Sequence, residues 1–250
     1  MLSRGGLPLL RVYDMKSAKL RPKKWLKLKD VASSWSSTSS STPTDRPESR
    51  PRPRSPDRAI GYVRAMRDVR IETKRLVIRE LCDDDWRALH GIESLPDVNR
   101  YQSYDAHTEQ ASRDLIARSQ REAACEPRAL YDLAVTQRGD HRLLGRGGFK
   151  RSGHELRTGE LWCVLAPAEH GRGIVTEAAR AVIELAFGQL GMHRLFGDCD
   201  PRNAASARLM ERLGMRREAH HVQNLWAKGE WCDSWIYALL ASEWTPNHAT

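Results

Sequence analysis

Cysteine is scarce in this sequence, and its spacing builds no recognisable site. The five cysteines include no Cys-x-x-Cys pair and lie far apart, at positions 82, 125, 163, 199 and 232. An odd and scattered set argues against a disulfide framework and against a zinc centre. We therefore expect no metal, and we expect a reducing compartment, the cytoplasm.

Long apolar runs are also absent. No stretch of the sequence approaches the roughly 20 residues that a membrane-spanning helix needs. We therefore expect a soluble protein without a membrane partner. The 250 residues are 40% hydrophobic and 29% charged, which is enough to bury the core of one or two globular domains.

The net charge of +9 is distributed unevenly along the chain. Residues 1–70 hold 17 of the 41 Lys and Arg but only 6 of the 32 Asp and Glu. The other 180 residues therefore carry 24 basic and 26 acidic side chains. The basic isoelectric point belongs to the N-terminal part, and it indicates nothing about the chemistry of the rest.

Residues 1–67 are predicted to form a disordered basic extension rich in Ser, Pro and Arg. Positions 33–41 are almost all Ser and Thr, and positions 43–56 are dominated by Pro, Arg and Ser. Such a segment buries too little apolar surface to offset its chain entropy. Its basic stretch, 16–29, leaves three interpretations open: nucleic-acid binding through phosphates, a targeting or membrane-surface segment, or a dispensable solvated extension.

Residues 68–246 are predicted to form one folded domain. Asp83 to Asp85 can cap a short helix that carries Trp86 and Leu89. Periodicity and turn signals predict a further helix at 109–122, strands at 71–81, 130–136, 143–150, 160–166 and 194–199, and a hairpin of 215–227 with 231–240.

Two glycine clusters invite a phosphate-loop interpretation. Around Gly145, Gly147 and Gly148 no helical pattern follows and no Gly-Lys-Ser/Thr is present, so a glycine-rich strand is the simpler explanation. Gly171 and Gly173 differ, because they stand between an apolar strand and a helix that starts at about Thr176. Without a Cβ the backbone can approach an anion, and the first amides of the helix point at it.

The helix after the strand 194–199 carries a second pattern. Asn203 can cap it, and Ser206 follows one turn later. Leu209, Met210 and Leu213 continue at helical spacing, which indicates a core-facing stripe.

These stretches together resemble the GNAT superfamily of acetyl-CoA-dependent N-acetyltransferases over roughly residues 69–244. The superfamily fingerprint, Gln/Arg-x-x-Gly-x-Gly/Ala, falls on residues 170–175, where His170 and Val175 depart from it. The opening Glu-Thr-Lys-Arg-Leu-Val-Ile-Arg, the Asn-x-x-Ser helix and the closing Lys-Gly-Glu-Trp are typical of one branch. That branch acetylates ribosomal-protein N-termini and also includes small-amine and aminoglycoside acetyltransferases.

The resemblance implies an α/β (α+β) fold, with a mixed central sheet of about seven strands, splayed at the middle, and helices on both faces. It implies acetyl-CoA as the cosubstrate, with the pantetheine arm hydrogen-bonded near Val164 and Leu165 and Asn203 also in contact. The residues implied at the pyrophosphate are His170, Gly171, Arg172, Gly173, Ile174, Val175 and Thr176. Because a β-branched side chain crowds the backbone, Val175 predicts weaker affinity for the cosubstrate.

Two residues are implied as catalytic groups. Glu160 matches the position of an acidic residue that acts as a base in relatives, and the alternative is a strand-end carboxylate with a structural partner. Ser206 is implied to protonate the leaving thiolate, and the alternative is an ordinary serine in a first helical turn. Cys163 has no histidine placed to activate it, so a covalent enzyme intermediate is not expected.

The acceptor is expected to be a protein N-terminal amine, or else a small amine or aminoglycoside. Tyr101, Tyr104 and His107 are candidate acceptor contacts, and surface aromatics are the alternative. A second functional hypothesis is a catalytically degenerate acyl-CoA-binding domain with a regulatory or partner-binding role, favoured by His170 and Val175. Nucleic acid is expected to bind only through the extension, and the chain is expected to be a monomer or homodimer.

Overall fold

The computed structural model describes residues 68–246. The predicted disorder of residues 1–67, and the three interpretations of residues 16–29, lie outside the described residues.

One mixed sheet of eight strands forms the centre of the described chain, in the order β1-β2-β3-β4-β5-β6-β8-β7. Within it β5 and β6 pair in parallel, and the other neighbours pair antiparallel. The strands are β1 (Arg70–Glu72), β2 (Leu76–Glu80), β3 (Leu130–Gln137), β4 (Leu143–Ser152), β5 (Thr158–Leu165), β6 (Arg194–Cys199), β7 (Arg216–Ala227) and β8 (Glu230–Leu240).

The predicted first strand, 71–81, is in fact two strands, which raises the number from seven to eight. Thr73 breaks it: the amide of Thr73 donates to the carbonyl of Leu76, and the amide of Leu76 donates to Thr73 Oγ1. A threonine hydroxyl that bonds to nearby backbone competes with a strand ladder. The chain therefore turns at residues 73–75, and β1 and β2 form a hairpin.

Five α-helices flank the sheet within the described residues. The predicted helix at 109–122 is confirmed, and it begins where Thr108 Oγ1 accepts a hydrogen bond from the amide of Ala111. No helix between residues 68 and 246 combines the length and the apolar composition needed to cross a membrane. The helices are α1 (Trp86–Glu93), α2 (Pro96–Asn99), α3 (Glu109–Ala123), α4 (Ile174–Glu184) and α5 (Ala204–Arg212).

The two faces of the sheet carry separate cores, as the expected helices on both faces require. On β3, Leu133 and Val135 point into the main core, which contains the apolar side chains of α4 and α5. Ala134 points to the opposite face, where Leu89 of α1 and Leu115 of α3 pack. Successive strand residues alternate between faces, so one strand serves both cores.

The glycines of β4 are strand residues, which confirms the simpler explanation. A Cβ on Gly148 would lie 1.7 Å from the carbonyl oxygen of Tyr131, and a Cβ on Gly145 would lie 2.1 Å from that of Val164. Neighbouring strands approach so closely here that only glycine fits.

A buried ionic network joins the second face to the sheet. Arg146 of β4 is 1% exposed. Its Nε lies 2.5 Å from Oε1 of Glu93 on α1, and its Nη1 lies 3.1 Å from Oδ1 of Asp132 on β3. Ser119 of α3 donates its hydroxyl to Oδ2 of Asp132 at 2.9 Å. One guanidinium therefore neutralises two carboxylates that water does not reach.

Replacing Arg146 by Leu is expected to lower the free energy of unfolding by about 3–5 kcal/mol, because two buried carboxylates lose their counter-ion. Urea denaturation at pH 7 measures the loss. The matched control is Arg70→Leu, which removes an exposed pair with Glu72 and is expected to change stability by about 0–1 kcal/mol. Equal effects of the two substitutions would contradict the assignment of the network as a stabilising centre.

Candidate active site

Strands β5 and β6 pair over only three residues each. The parallel ladder runs from Thr158 opposite Arg194 to Glu160 opposite Phe196. Beyond that point residues 161–165 pair only with β4, and residues 197–199 pair only with β8. The predicted splay is therefore present, and it leaves two facing strand edges that can hydrogen-bond to an extended molecule laid between them.

The chain leaves β5 through a turn that needs two glycines. A 3-10 turn at Pro167–Glu169 follows the strand, and Gly171 and Gly173 both adopt a φ of +72°. Gly173 is the N-cap of α4, in the left-handed conformation. Helix α4 thus begins at Ile174, two residues before the predicted Thr176, because the left-handed glycine closes the turn at once.

The backbone amides of this turn form the candidate anion site. The amide of His170 donates to the carbonyl of Pro167, and the amide of Glu177 donates to the carbonyl of Gly173, the N-cap residue. The amides of residues 173–176 form the start of α4, where no intrahelical acceptor exists, and those of Gly171 and Arg172 precede them in the turn. The helix dipole adds partial positive charge at the same point, so this geometry suits a phosphate group.

His170 anchors the turn to the end of β5. Its Nε2 lies 3.2 Å from the carbonyl oxygen of Leu165, and burial lowers the pKa of the imidazole. A neutral ring with the proton on Nε2 donates to that carbonyl. The departure from the fingerprint at this position therefore supplies a hydrogen bond that fixes the strand-to-turn angle.

Val175 departs from the fingerprint, and its side chain is buried. Its side chain is 7% exposed and belongs to the main core. The weaker affinity for the cosubstrate that this branched side chain predicts stays a prediction. Arg172 is exposed, and its Nη1 lies 2.8 Å from Oε2 of Glu169.

Glu160 is the last residue of β5 before the strands part. Burial, with a further contribution from the negative charge of Asp198, raises the pKa of Glu160 to about 7, and Lys150 acts in the opposite direction. Asp198 lies on β6, past the end of the parallel ladder, and is 2% exposed. A carboxylate with this pKa can take up a proton near neutral pH, which is what general base catalysis requires.

Asn203 and Ser206 lie on the other side of the gap, at the start of α5. The predicted cap is confirmed, since Asn203 Oδ1 accepts a hydrogen bond from the amide of Ser206 at 3.2 Å. Both residues are fully buried. The predicted core stripe of Leu209, Met210 and Leu213 is also confirmed.

Two of the three predicted acceptor contacts meet at a buried carboxylate. Tyr104 donates its hydroxyl to Glu93 Oε2 at 3.4 Å, and Nδ1 of His107 lies 3.1 Å from the same oxygen. Burial raises the pKa of Tyr104 and lowers that of His107, so both side chains are neutral at pH 7. The ring centroid of Tyr101 lies 5.4 Å from the guanidinium carbon of Arg100.

The hairpin of β7 and β8 reaches the segment that carries these aromatics. At its tip, Lys228 donates Nζ to the carbonyl oxygen of Asn99, the last residue of α2. Trp235 and Trp244 pack against the main core. Trp226 and Trp231 do not, since they are 58% and 56% exposed and contact each other edge to face.

Three contributors to the site were not predicted from the sequence. Glu93 and Asp198 are isolated acidic residues in apolar or mixed segments, and no local pattern marks either as buried. Arg75 lies in the turn between β1 and β2, and its Nη1 donates to the carbonyl of Arg172 at 2.8 Å. Within residues 68–246, no three His, Cys, Asp or Glu side chains converge to hold a metal ion.

The substitution Glu160→Gln is expected to stabilise the fold at alkaline pH. The pKa of Glu160 rises from 4.5 to about 7 on folding, so the folded state binds more protons in that window and stability falls as the pH rises through it. The glutamine variant lacks this loss. Its advantage in free energy of unfolding is expected to grow from pH 4.5 to 7 and to reach about 1–3 kcal/mol at pH 8.

Urea denaturation of both proteins between pH 4.5 and 8.5 measures this difference. Glu155→Gln is the matched control, because the Glu155 side chain is 68% exposed and no pH-dependent difference is expected. An advantage of Glu160→Gln that is the same at every pH would show that the carboxyl is not destabilised by its surroundings.

Comparison with known proteins places this geometry in a family. A family model described as "Acetyltransferase (GNAT) domain" matches residues 75–216. The uncharacterised N-acetyltransferase YnaD of Bacillus subtilis (strain 168) is 32% identical over 174 residues, which are 70% of this chain and 98% of YnaD. The [ribosomal protein uS5]-alanine N-acetyltransferase of Escherichia coli (strain K12) is 25% identical over an alignment of 197 positions, and the match covers 74% of this chain and 98% of that protein.

A solved structure is also similar to this chain. The acetyltransferase (GNAT family) from Bacillus anthracis superimposes with a TM-score of 0.63 and 30% identity, over 70% of this chain and 100% of that one. The family match spans more than half of the chain, and it contains the glycine turn, the parting strands and the Asn203 helix. The chain therefore belongs to the GNAT family of acetyltransferases.

Proposed function

We propose that this N-acetyltransferase transfers acetyl directly from acetyl-CoA to a primary amine, and that the acceptor is the N-terminal amine of a protein. The observation that carries the proposal is Glu160, a carboxyl with a pKa of about 7 at the point where β5 and β6 part. The choice of acceptor is supported by the similarity to the alanine N-acetyltransferase that acts on ribosomal protein uS5. A small amine or aminoglycoside is the second candidate.

The residues of the site fit acetyl-CoA, the acetyl donor that GNAT acetyltransferases use. The amides of 171–176 would hold the pyrophosphate at the start of α4. The edge of β5 that faces away from β4, at Val164 and Leu165, would pair with the amides of the pantetheine arm. The donor supplies an already activated thioester, so no covalent enzyme intermediate is needed. Cys163 lies in the main core.

Two groups of the chain would then move protons. Glu160 accepts the proton that an acceptor ammonium must lose before its nitrogen can attack. A carboxylate with an ordinary pKa would be a much weaker base at pH 7, so the burial of Glu160 and the charge of Asp198 are functional features. Ser206, held at the start of α5 by Asn203, would donate a proton to the departing sulfur.

The function is tested by measuring thiol release from acetyl-CoA with a panel of amines. The panel contains peptides with N-terminal Ala or Ser, the same peptides with a blocked N-terminus, spermidine and an aminoglycoside. We expect release with the unblocked peptides and a mass increase of one acetyl group at the α-amine. Release only with spermidine or the aminoglycoside would assign the second candidate. CoA binding by calorimetry without thiol release on any amine would support the degenerate binding domain.

The role of Glu160 predicts a specific pH profile. We expect kcat/KM to rise with pH through about 7 and then to level off, because the carboxylate is the active form. Glu160→Gln is expected to lower kcat by about 10²–10⁴-fold, while Glu155→Gln leaves it unchanged. Asp198→Asn is expected to move the acid limb to lower pH, because a neighbouring negative charge is removed. An acid limb that stays in place in Asp198→Asn, with an active Glu160→Gln variant, would exclude Glu160 as the base.

A further inference from the structure

The turn between β1 and β2, residues 73–75, lies against the first turn of α4. Glu177 of α4 receives three hydrogen bonds from it. Oε1 accepts from the hydroxyl of Thr73 at 2.6 Å and from the amide of Arg75 at 2.9 Å, and Oε2 accepts from Nε of Arg75 at 2.6 Å. About a hundred residues of chain separate the two segments, so the contact is a product of the tertiary fold.

The guanidinium of Arg75 continues from Glu177 to the glycine turn. Its Nη1 donates to the carbonyl oxygen of Arg172 at 2.8 Å, and its Nη2 lies 3.5 Å from where a Cβ on Gly173 would stand. The guanidinium of Arg75 therefore contacts Arg172, which precedes the start of α4, and Glu177, which lies in its first turn. A guanidinium can satisfy acceptors in several directions at once, whereas an ammonium on a flexible stem cannot hold the same fixed fork.

The contact with Arg172 determines the direction of a neighbouring amide. In a trans peptide unit the carbonyl and the N–H point in opposite directions. The carbonyl of Arg172 belongs to the same unit as the N–H of Gly173. Because Arg75 holds that carbonyl on its own side, the Gly173 amide points to the opposite side of the turn. A glycine with a φ of +72° has no side chain to restrict this peptide plane, so an external anchor has a large effect.

We propose that Arg75 is a positioning residue for the phosphate end of the site: it holds the Arg172–Gly173 peptide so that the Gly173 amide is pre-oriented toward the bound anion. The inference rests on the proposed function, since the anion is identified as the pyrophosphate of CoA. The half-exposed guanidinium also adds positive charge beside the helix start, and Glu177 balances part of it.

The test compares two acetyl donors that differ in the pyrophosphate. Acetyl-CoA carries it, whereas acetyl-pantetheine has only the arm and the thioester. In Arg75→Met we expect the Kd of CoA, measured by calorimetry, and the KM for acetyl-CoA to rise about 10-fold or more. We expect kcat/KM with acetyl-pantetheine to stay within about twofold of the wild-type value. An equal loss with both donors would overturn the proposal, as would an unchanged Kd for CoA.

Two further variants separate position from charge and from folding. Arg138→Met is the matched control, because Arg138 donates to Thr73 from the adjacent turn, is 54% exposed and carries the same charge. We expect it to change the Kd of CoA less than about threefold. Arg75→Lys keeps the charge but not the fork, and we expect most of the loss seen in Arg75→Met. Full recovery in Arg75→Lys would overturn the positioning role, and urea denaturation confirms that each variant is folded.

Failure of this proposal and failure of the proposed function give different results. If the wild-type protein binds CoA but acetylates no amine, the enzymatic function fails, and calorimetry alone still decides the role of Arg75. If the wild-type protein acetylates amines and Arg75→Met binds CoA as well as the wild type does, only the role of Arg75 fails.

Discussion

The separation of β5 from β6 after Glu160 is the constraint from which the site follows. A sheet normally satisfies its backbone groups strand by strand, and here two neighbouring strands stop doing so after three paired residues. The parted edges create a place for an extended ligand, and the turn at Gly171 and Gly173 gives that place an electropositive end. The same separation sets Glu160 beside the gap, where partial burial raises the pKa of its carboxyl to about 7.

Ion pairs and hydrogen bonds, as well as apolar packing, hold this arrangement together. Arg146 joins α1 to β3 and β4 through buried carboxylates, and one of those carboxylates, Glu93, also contacts Tyr104 and His107. The segment that carries Tyr104 and His107 is therefore attached to the sheet by charge and hydrogen bonds. Arg75 makes a comparable attachment at the glycine turn. In both places a guanidinium links segments that are distant in the sequence.

Local chemistry made much of this predictable, and distance along the chain limited the rest. The cap at Asn203 and the glycine turn depend on residues within one helical turn of each other, so a short pattern predicts them. The break at Thr73 carries no Gly or Pro turn signal, so the sequence predicts one continuous strand across it. Contacts such as Arg75 with Glu177, or Arg146 with Glu93, require the strand order, which no local pattern contains.

The short parallel ladder between β5 and β6 also determines which parts of the sheet can change independently. It divides the sheet into a part that contains β1 to β5 and leads into the glycine turn, and a part that contains β6, β8 and β7. The hairpin of the second part meets α2 through Lys228 and Asn99. Substitutions in the hairpin can therefore change its contact with α2 while the part of the sheet that carries the glycine turn keeps its packing. One side of the gap can in this way vary without a change in the other.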